Sequence, residues 1–340
     1  MSFKEKILSK SNSYNFYKNE SEKLKKENKK LKTKIIETNY EKGISVIIPT
    51  YKGENYISIL LDSLQKQILS PELFELIFVI NGPLDSTPQI LKKFIDENKD
   101  FNIIIAYSST PSAGNARNIG IKIAKHEYIT FLDDDDFITA NYLDSLYKYS
   151  KPNRVVMANF IDKDETGEIL ESYVVPYNEK RHGVIKNAPL DFISLSLVTV
   201  AKLLPTYAVK QVEFNPKLKN GIDVSYFGRF FPKFNFEFYF IDKKECVSYI
   251  RFKRSNSISR QKVSYEFNVL DRLKVLDDVN LSFKNEKRKK YKKFLKKIFN
   301  GQATFMVEYL KEHPEDKKKV ISEIKKHNFN YFPYKKLEKI

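Results

Sequence analysis

At 340 residues, with 41% hydrophobic and 14% aromatic content, the chain has the make-up of a globular protein with a sizeable core, not of a disordered one. The single cysteine, Cys246, excludes an intramolecular disulfide and a cysteine zinc cluster, and His126, His182, His313 and His327 show no metal-ligand spacing. Sixty Lys and Arg against 43 Asp and Glu leave a net charge of +17, which favours a polyanionic partner: nucleic acid, an anionic membrane face, or an acidic or phosphorylated substrate. No apolar run approaches a membrane span, and the amino terminus, charged from Lys4 onward, has no signal-peptide core. A cytoplasmic location is expected.

Residues 12 to about 40 are polar and helix-prone. Tyr17, Leu24 and Leu31 recur at intervals of seven, with Asn28 on the companion seam. This pattern fits a short coiled coil that makes a homo-oligomer, and equally a leader helix docked on its own domain. Gly43 ends it and Ile44 to Ile48 reads as a buried strand. Ile57, Leu60, Leu61, Leu64 and Ile68 then keep helical spacing. Phe74 to Ile80 is a second strand, stopped at Asn81-Gly82-Pro83, and Thr87 opens a second amphipathic helix. Asn102 to Tyr107 is a third strand, Ser112 caps a small-residue helix carrying Arg117, and His126 to Leu132 is a fourth strand. Strand alternating with helix four times predicts a doubly wound, mostly parallel α/β sheet.

The fourth strand runs into four successive carboxylates, Asp133 to Asp136. Adjacent like charges raise one another's pKa values, and a hard divalent cation reverses that penalty. A solvated acidic turn is the other reading of the same residues. Beyond residue 150 the alternation lapses. Strands are expected at Val155 to Phe160, Ile169 to Val175, Phe236 to Ile241 and Val247 to Phe252, with Phe192 to Lys202 readable as helix or strand. Asn220-Gly221-Ile222-Asp223 turns into an aromatic helix, and from about Tyr265 the chain reads as basic and helical.

Four segments in register carry a family resemblance: Ser45 to Tyr51, Asn81-Gly82 with Asp85, Ala113 to Gly120, and Phe131 to Asp136. Together they resemble the family 2 glycosyltransferases of the GT-A fold, a Rossmann-like sheet flanked by helices. The likeness runs from about Gly43 to Gln261. Asn220 to Arg229 resembles the segment with the family's catalytic acid, and Tyr249 to Arg260 its Tyr/Arg-rich tail. The resemblance implies a nucleotide-sugar site of Pro49, Thr50, Tyr51, Glu54, Asn81, Ala113, Arg117, Asp133 and Asp134. It implies Mn²⁺ or Mg²⁺ on Asp135 with Asp133, and Asp223 as the base that takes a proton from the acceptor hydroxyl. Arg251, Lys253 and Arg254 would close over the diphosphate, or else line a solvated strand edge. Asp136 is expected to cap the next helix, and an N-cap role is the structural alternative for Asp223. Two positions depart from the family pattern: Ile80 and Asn81 replace an acidic pair, and Ile222 replaces a glutamate before Asp223. Asn81 keeps an amide oxygen that could accept from a base imide.

The expected organisation is therefore an N-terminal helix over 1–42, a GT-A domain over 43–262 and a basic helical region over 263–340. The expected activity is inverting transfer from a nucleotide-diphosphate sugar, UDP-linked, to a surface-glycan acceptor such as capsule, teichoic acid or a lipid-linked saccharide, with no nucleic-acid partner. A metal-dependent nucleotidyltransferase and a silent glycan- or membrane-binding scaffold are the rival readings. Lys284 to Lys297 holds eight Lys and one Arg, with Tyr291, Phe294, Leu295 and Ile298 on one face. Such a helix either lies on an anionic membrane, making the protein peripheral, or docks on its own domain.

Overall fold

The computed structural model describes residues 40–164, 166–170, 182–185, 189–191, 193–253 and 262–338. The expected leader helix with its oligomer seam, and Arg254, lie outside the described residues.

The first half alternates as expected: β1 (Glu41–Thr50), α1 (Ile57–Gln65), β2 (Phe74–Asn81), α2 (Thr87–Glu97), β3 (Asn102–Ser108), α3 (Ala113–Ile123) and β4 (His126–Phe131). A short β5 (Phe137–Ile138) and α4 (Tyr142–Lys148) lead to β6 (Arg154–Met157), β7 (Asn159–Lys163), β8 (Ile169–Leu170) and β9 (Gly183–Ile185). The undecided segment becomes both things it was read as, a one-turn α5 (Ile193–Ser196) and then β10 (Lys202–Pro205), followed by a short α6 (Thr206–Val209). α7 (Ile222–Lys233), β11 (Glu237–Phe240) and β12 (Ser248–Phe252) complete the sheets. A π turn at Glu266–Leu270 enters α8 (Asp271–Asn285), followed by α9 (Lys289–Glu312), α10 (Lys317–Lys326) and α11 (Lys335–Glu338).

The main sheet has eight strands in the order β3-β2-β1-β4-β10-β6-β11-β9, and a second sheet runs β5-β12-β7-β8. β1 to β4 are mutually parallel, β10 is antiparallel to both its neighbours, and β6 and β11 are parallel. Both faces of β1 and β2 are covered, so their sequences are near-continuous apolar runs and not alternating ones. The amino ends of three strands are tied by one buried carboxylate. Glu75 Oε1 accepts from Ser45 Oγ at 2.6 Å and Lys125 N at 2.8 Å, and Ser45 Oγ accepts from His126 N at 3.1 Å.

Strand order reverses between β1 and β4, since β2 and β3 build outward on the other side of β1. Such a switch point leaves a crevice beyond the carboxyl ends of the two strands. Thr50 and Phe131 end those strands, so Tyr51 and the acidic turn flank the crevice.

The C-terminal helices are packed against the sheet domain, and the apolar face of the basic segment follows the docked reading of the two. Tyr291, Phe294, Leu295 and Ile298 on α9 are all buried in the common core, with Phe294 6.1 Å from Phe231 of α7. Exposing four such side chains would cost on the order of 6–12 kcal/mol. The apolar face therefore serves the protein itself, and the lysines form its outer side. Among the described residues no helix is long and apolar enough to cross a membrane.

Candidate active site

Two loops are locked together at the mouth of the crevice. Glu54 N donates to Asp85 Oδ2 at 3.2 Å, while the Glu54 carboxylate accepts from Ser86 N at 3.0 Å and Asp85 Oδ1 from Thr87 N. Tyr51, 46% exposed, lays its ring on the backbone of Gly82. A Cβ at Gly82 would fall 2.7 Å from Tyr51 Cε2, and its φ of 88° is left-handed, so both sterics and backbone demand glycine there. Tyr51 N donates to Asp134 Oδ2 at 3.2 Å, which joins the carboxyl ends of β1 and β4.

Asn81 sits where expected but does something else. It is 3% exposed, its amide nitrogen donates to Thr50 O at 2.9 Å, and its oxygen accepts from Ser112 N at 3.0 Å. It braces the strand end against the start of α3 instead of presenting its oxygen to a base. Ser112 caps α3 as predicted, accepting from Asn115 N at 3.2 Å. Pro49 and Thr50 are buried at the end of β1, and Ala113 is half-buried at the first position of α3.

Arg117 occupies the centre. Small neighbours on α3 let it lie buried, 7% exposed, under the crevice. Its Nη2 donates to Asp133 Oδ1 at 2.8 Å and its Nη1 lies 3.9 Å from Asp223 Oδ1. Sequence reasoning aimed this fork at phosphate or base oxygens, but the structure turns it onto two carboxylates. Burial works against its charge, yet Asp133 and Asp223 together outweigh burial and hold the guanidinium pKa above its ordinary value.

Asp223 lies in the first turn of α7, whose N-cap is Gly221 with a φ of 66°. Asp223 is therefore not the cap. Its Oδ2 accepts from Thr199 N at 3.2 Å, and 36% of its side chain is exposed toward solvent. The helix start is held from behind by α8: Asn220 donates to Asp271 at 2.6 Å, and Asp278 accepts from Ser225 Oγ at 2.6 Å and from Asn215. A Cβ at Gly221 would meet Val275 of α8 at 2.6 Å, so this contact also requires glycine.

The acidic turn divides its labour. Asp133, Asp134 and Asp135 are half-buried, whereas Asp136 is 2% exposed. Asp136 is not a helix cap, because Asn141 holds that position for α4. Instead Asp136 accepts from the Tyr249 hydroxyl and from Phe252 N, and the same hydroxyl accepts from Asp133 N at 3.2 Å. Burial first, and then the charges of Asp135 and Asp133, push the Asp136 carboxyl well above the usual carboxylate range. Tyr249 is thus the strut that fixes the turn. It was visible in sequence only as one tyrosine of the tail.

Arg251 and Lys253 have a different partner from the expected diphosphate. Both grip the fully buried Asp162, Arg251 through Nε at 2.8 Å and Nη2 at 3.0 Å, and Lys253 at 2.8 Å. β12 lies parallel to β7 with Arg251 beside Asp162, which forces this meeting. Sequence reading also passed over Lys202, a charge inside an apolar run. It is fully buried, and burial pushes its ammonium down to about 7 while the charge of Asp223 opposes that shift.

For a divalent ion, Asp133 and Asp135 place two hard-oxygen groups on one turn. Among the described residues no group of three His, Cys, Asp or Glu could hold a metal ion. Two carboxylates suit Mg²⁺ or Mn²⁺ shared with a substrate diphosphate and water, and do not suit an all-protein cage.

The comparisons bear on this site. Residues 45–194 match the family model Glycosyl transferase family 2. The chain is 39% identical to a poly(ribitol-phosphate) beta-glucosyltransferase of Bacillus spizizenii over 33% of its length, a match covering 18% of that protein. It is 40% identical to the poly(ribitol-phosphate) beta-N-acetylglucosaminyltransferase TarS of Staphylococcus aureus over 29% of its length, covering 17% of TarS. These matches span less than a fifth of either relative. A crystal structure of S. aureus TarS 1–349 in complex with UDP-GlcNAc superposes with a TM-score of 0.62 at 24% identity, over 76% of this chain and 72% of that one. The fold is the mostly parallel GT-A fold expected.

Proposed function

We propose, from the match of residues 45–194 to the family 2 glycosyltransferase model and the likeness to a poly(ribitol-phosphate) glucosyltransferase, that the chain is an inverting, metal-dependent glycosyltransferase. It moves a hexosyl or N-acetylhexosaminyl group from a UDP-sugar to a hydroxyl of an anionic surface glycan, working in the cytoplasm. The observation that carries this reading is the Arg117 cluster, in which one buried guanidinium holds Asp133 of the acidic turn and Asp223 of α7 at the mouth of one crevice.

The tasks divide by position. Tyr51, Gly82 and the Glu54–Asp85 lock form the wall for the nucleoside. Asp133 and Asp134, held by Arg117 and by Tyr51 N, orient the ribose and the first phosphate. A divalent ion on Asp135 and Asp133 would supply positive charge against the departing diphosphate. Asp223 faces the acceptor. Its carboxylate takes the hydroxyl proton as the acceptor oxygen bonds to the anomeric carbon, and the bond from that carbon to the diphosphate oxygen breaks on the opposite face. The polyribitol-phosphate named for both relatives is an anionic chain, and the surplus of +17 on this protein suits an acceptor of that kind.

The test uses two variants. Asp223→Asn keeps size but not basicity, so transfer should fall by about 10³-fold or more while UDP binding with Mn²⁺ stays near that of the wild type. Asp135→Ala should weaken UDP binding and turnover together. A fully active Asp223→Asn protein would remove the base assignment, and release of pyrophosphate in place of UDP would turn the reading to nucleotidyl transfer.

A further inference from the structure

Lys202 opens β10 and is fully buried, yet the transfer chemistry gives it no task. Its Nζ donates to Leu195 O at 3.1 Å, Ser196 O at 3.4 Å and also Val198 O, and it stands 4.5 Å from the ring centroid of Phe227 on α7. An ammonium has three donors and no acceptor, so burial is tolerable only where acceptors converge on it. Here three carbonyls of one short segment do so. The next amide along that segment is Thr199 N, which donates to Asp223 Oδ2 at 3.2 Å. Two residues later Ala201 is fully buried with a φ of 59°, a left-handed conformation that a residue with a Cβ holds only when its surroundings impose it. The Lys202 backbone is anchored as well, because its carbonyl accepts from Thr130 Oγ1 on β4 at 2.9 Å.

We propose that Lys202 is a positioning residue: its Nζ gathers the carbonyls of Leu195, Ser196 and Val198 and thereby fixes the Thr199 amide that holds Asp223 toward the acceptor. Carbonyls that would otherwise repel one another converge on a single donor group, and a backbone turn that is locally unfavourable is held in register. The amine and Asp223 are linked twice, through Thr199 N and through Phe227, which shares α7 with Asp223. Lys202 thus acts on the carboxylate without touching substrate. The inference rests on Asp223 being the base, so its test needs one readout independent of transfer.

That readout is hydrogen exchange of the 193–201 segment in the full chain. In Lys202→Met, exchange there should quicken by about tenfold or more while β1 and β4 keep their protection. UDP affinity with Mn²⁺, by calorimetry, should stay within about threefold. UDP release from UDP-glucose or UDP-N-acetylglucosamine in the presence of acceptor should lose about ten- to a hundredfold in kcat with donor KM unchanged. Lys202→Arg, which keeps a buried cation with several donors, should restore most of the protection. Unchanged exchange over 193–201 in folded Lys202→Met overturns the proposal, as does quickening spread evenly over every segment. If the Met variant does not fold, Lys202→Gln is measured in its place with the same two overturning results. An active Asp223→Asn protein would remove the base and leave the exchange result standing, so the two failures are told apart.

Discussion

Two carboxylate–cation clusters, one on the second sheet and one at the end of β4 in the main sheet, are built in opposite ways. Around Asp162, one fully buried carboxylate is gripped by two cations, Arg251 at 24% and Lys253 at 17% side-chain exposure. Around Arg117, one buried cation is shared between two carboxylates, Asp133 at 39% and Asp223 at 36% exposure. The first cluster buries its carboxylate behind two cations; the second buries its cation and leaves two half-exposed carboxylates at the crevice. Buried pairs of either kind are poor evidence for stability. Which sign is buried and which is exposed separates the two: a closed carboxylate holds two strands together, while half-exposed carboxylates on a buried cation are the arrangement proposed to receive a substrate.

The largest effect should come from breaking the open cluster. Arg117→Met leaves Asp133 and Asp223 without their shared cation, and UDP release should fall by about 10³-fold with UDP affinity also lost. Calorimetry beside a turnover assay checks both, and a variant with normal turnover would erase the distinction drawn here. Asp162→Asn should do the opposite. Breaking a buried ion group costs about 3–5 kcal/mol, so the melting temperature should drop sharply while the folded fraction turns over within about threefold of the wild type. A large loss of UDP affinity in that variant would return Arg251 and Lys253 to the diphosphate. Asp278→Ala, which removes the acceptor for Asn215 and Ser225 behind α7, should cost about 1–3 kcal/mol by thermal or urea unfolding.

A smaller effect is expected from pH. The Lys202 pKa is lowered in the folded state, to about 7 from 10.5. Between those values the unfolded chain binds the extra proton, so this group's contribution to unfolding free energy rises with pH from about 7 upward. Below pH 7 both states are protonated and its slope is flat. Subtracting the Lys202→Met unfolding curve from the wild-type curve between pH 6 and 9 isolates that slope, and a difference that falls with pH would contradict it. The smallest effect is expected for Lys289→Gln with Lys293→Gln on the outer side of α9. Melting should be unchanged, and only salt-sensitive binding to an anionic polymer such as a polyribitol-phosphate should weaken.

The alternation of apolar runs with helical spacing was enough to place β1 to β4 and α1 to α3. Parallel strands covered on both faces cannot be anything but apolar, and Gly82, Ser112 and the acids punctuate them by local sterics and hydrogen bonding. The acidic turn stood out on its run of like charge, whereas Tyr51, Arg117 and Asp223 were marked as candidates by the family resemblance. Neither could say what they touch. Asn81 became a brace, Asp136 the buried partner of Tyr249, and Arg251 and Lys253 the seal on Asp162, because each pairing joins residues 31 to 116 positions apart and is set by sheet register. Lys202 was illegible for the same reason, since a lysine in an apolar run has meaning only once three carbonyls are seen to converge on it. Secondary structure and motif position follow from interactions along the chain, where the residues involved are neighbours in sequence. Charge pairing and burial follow from interactions across it, and only the tertiary structure decides those.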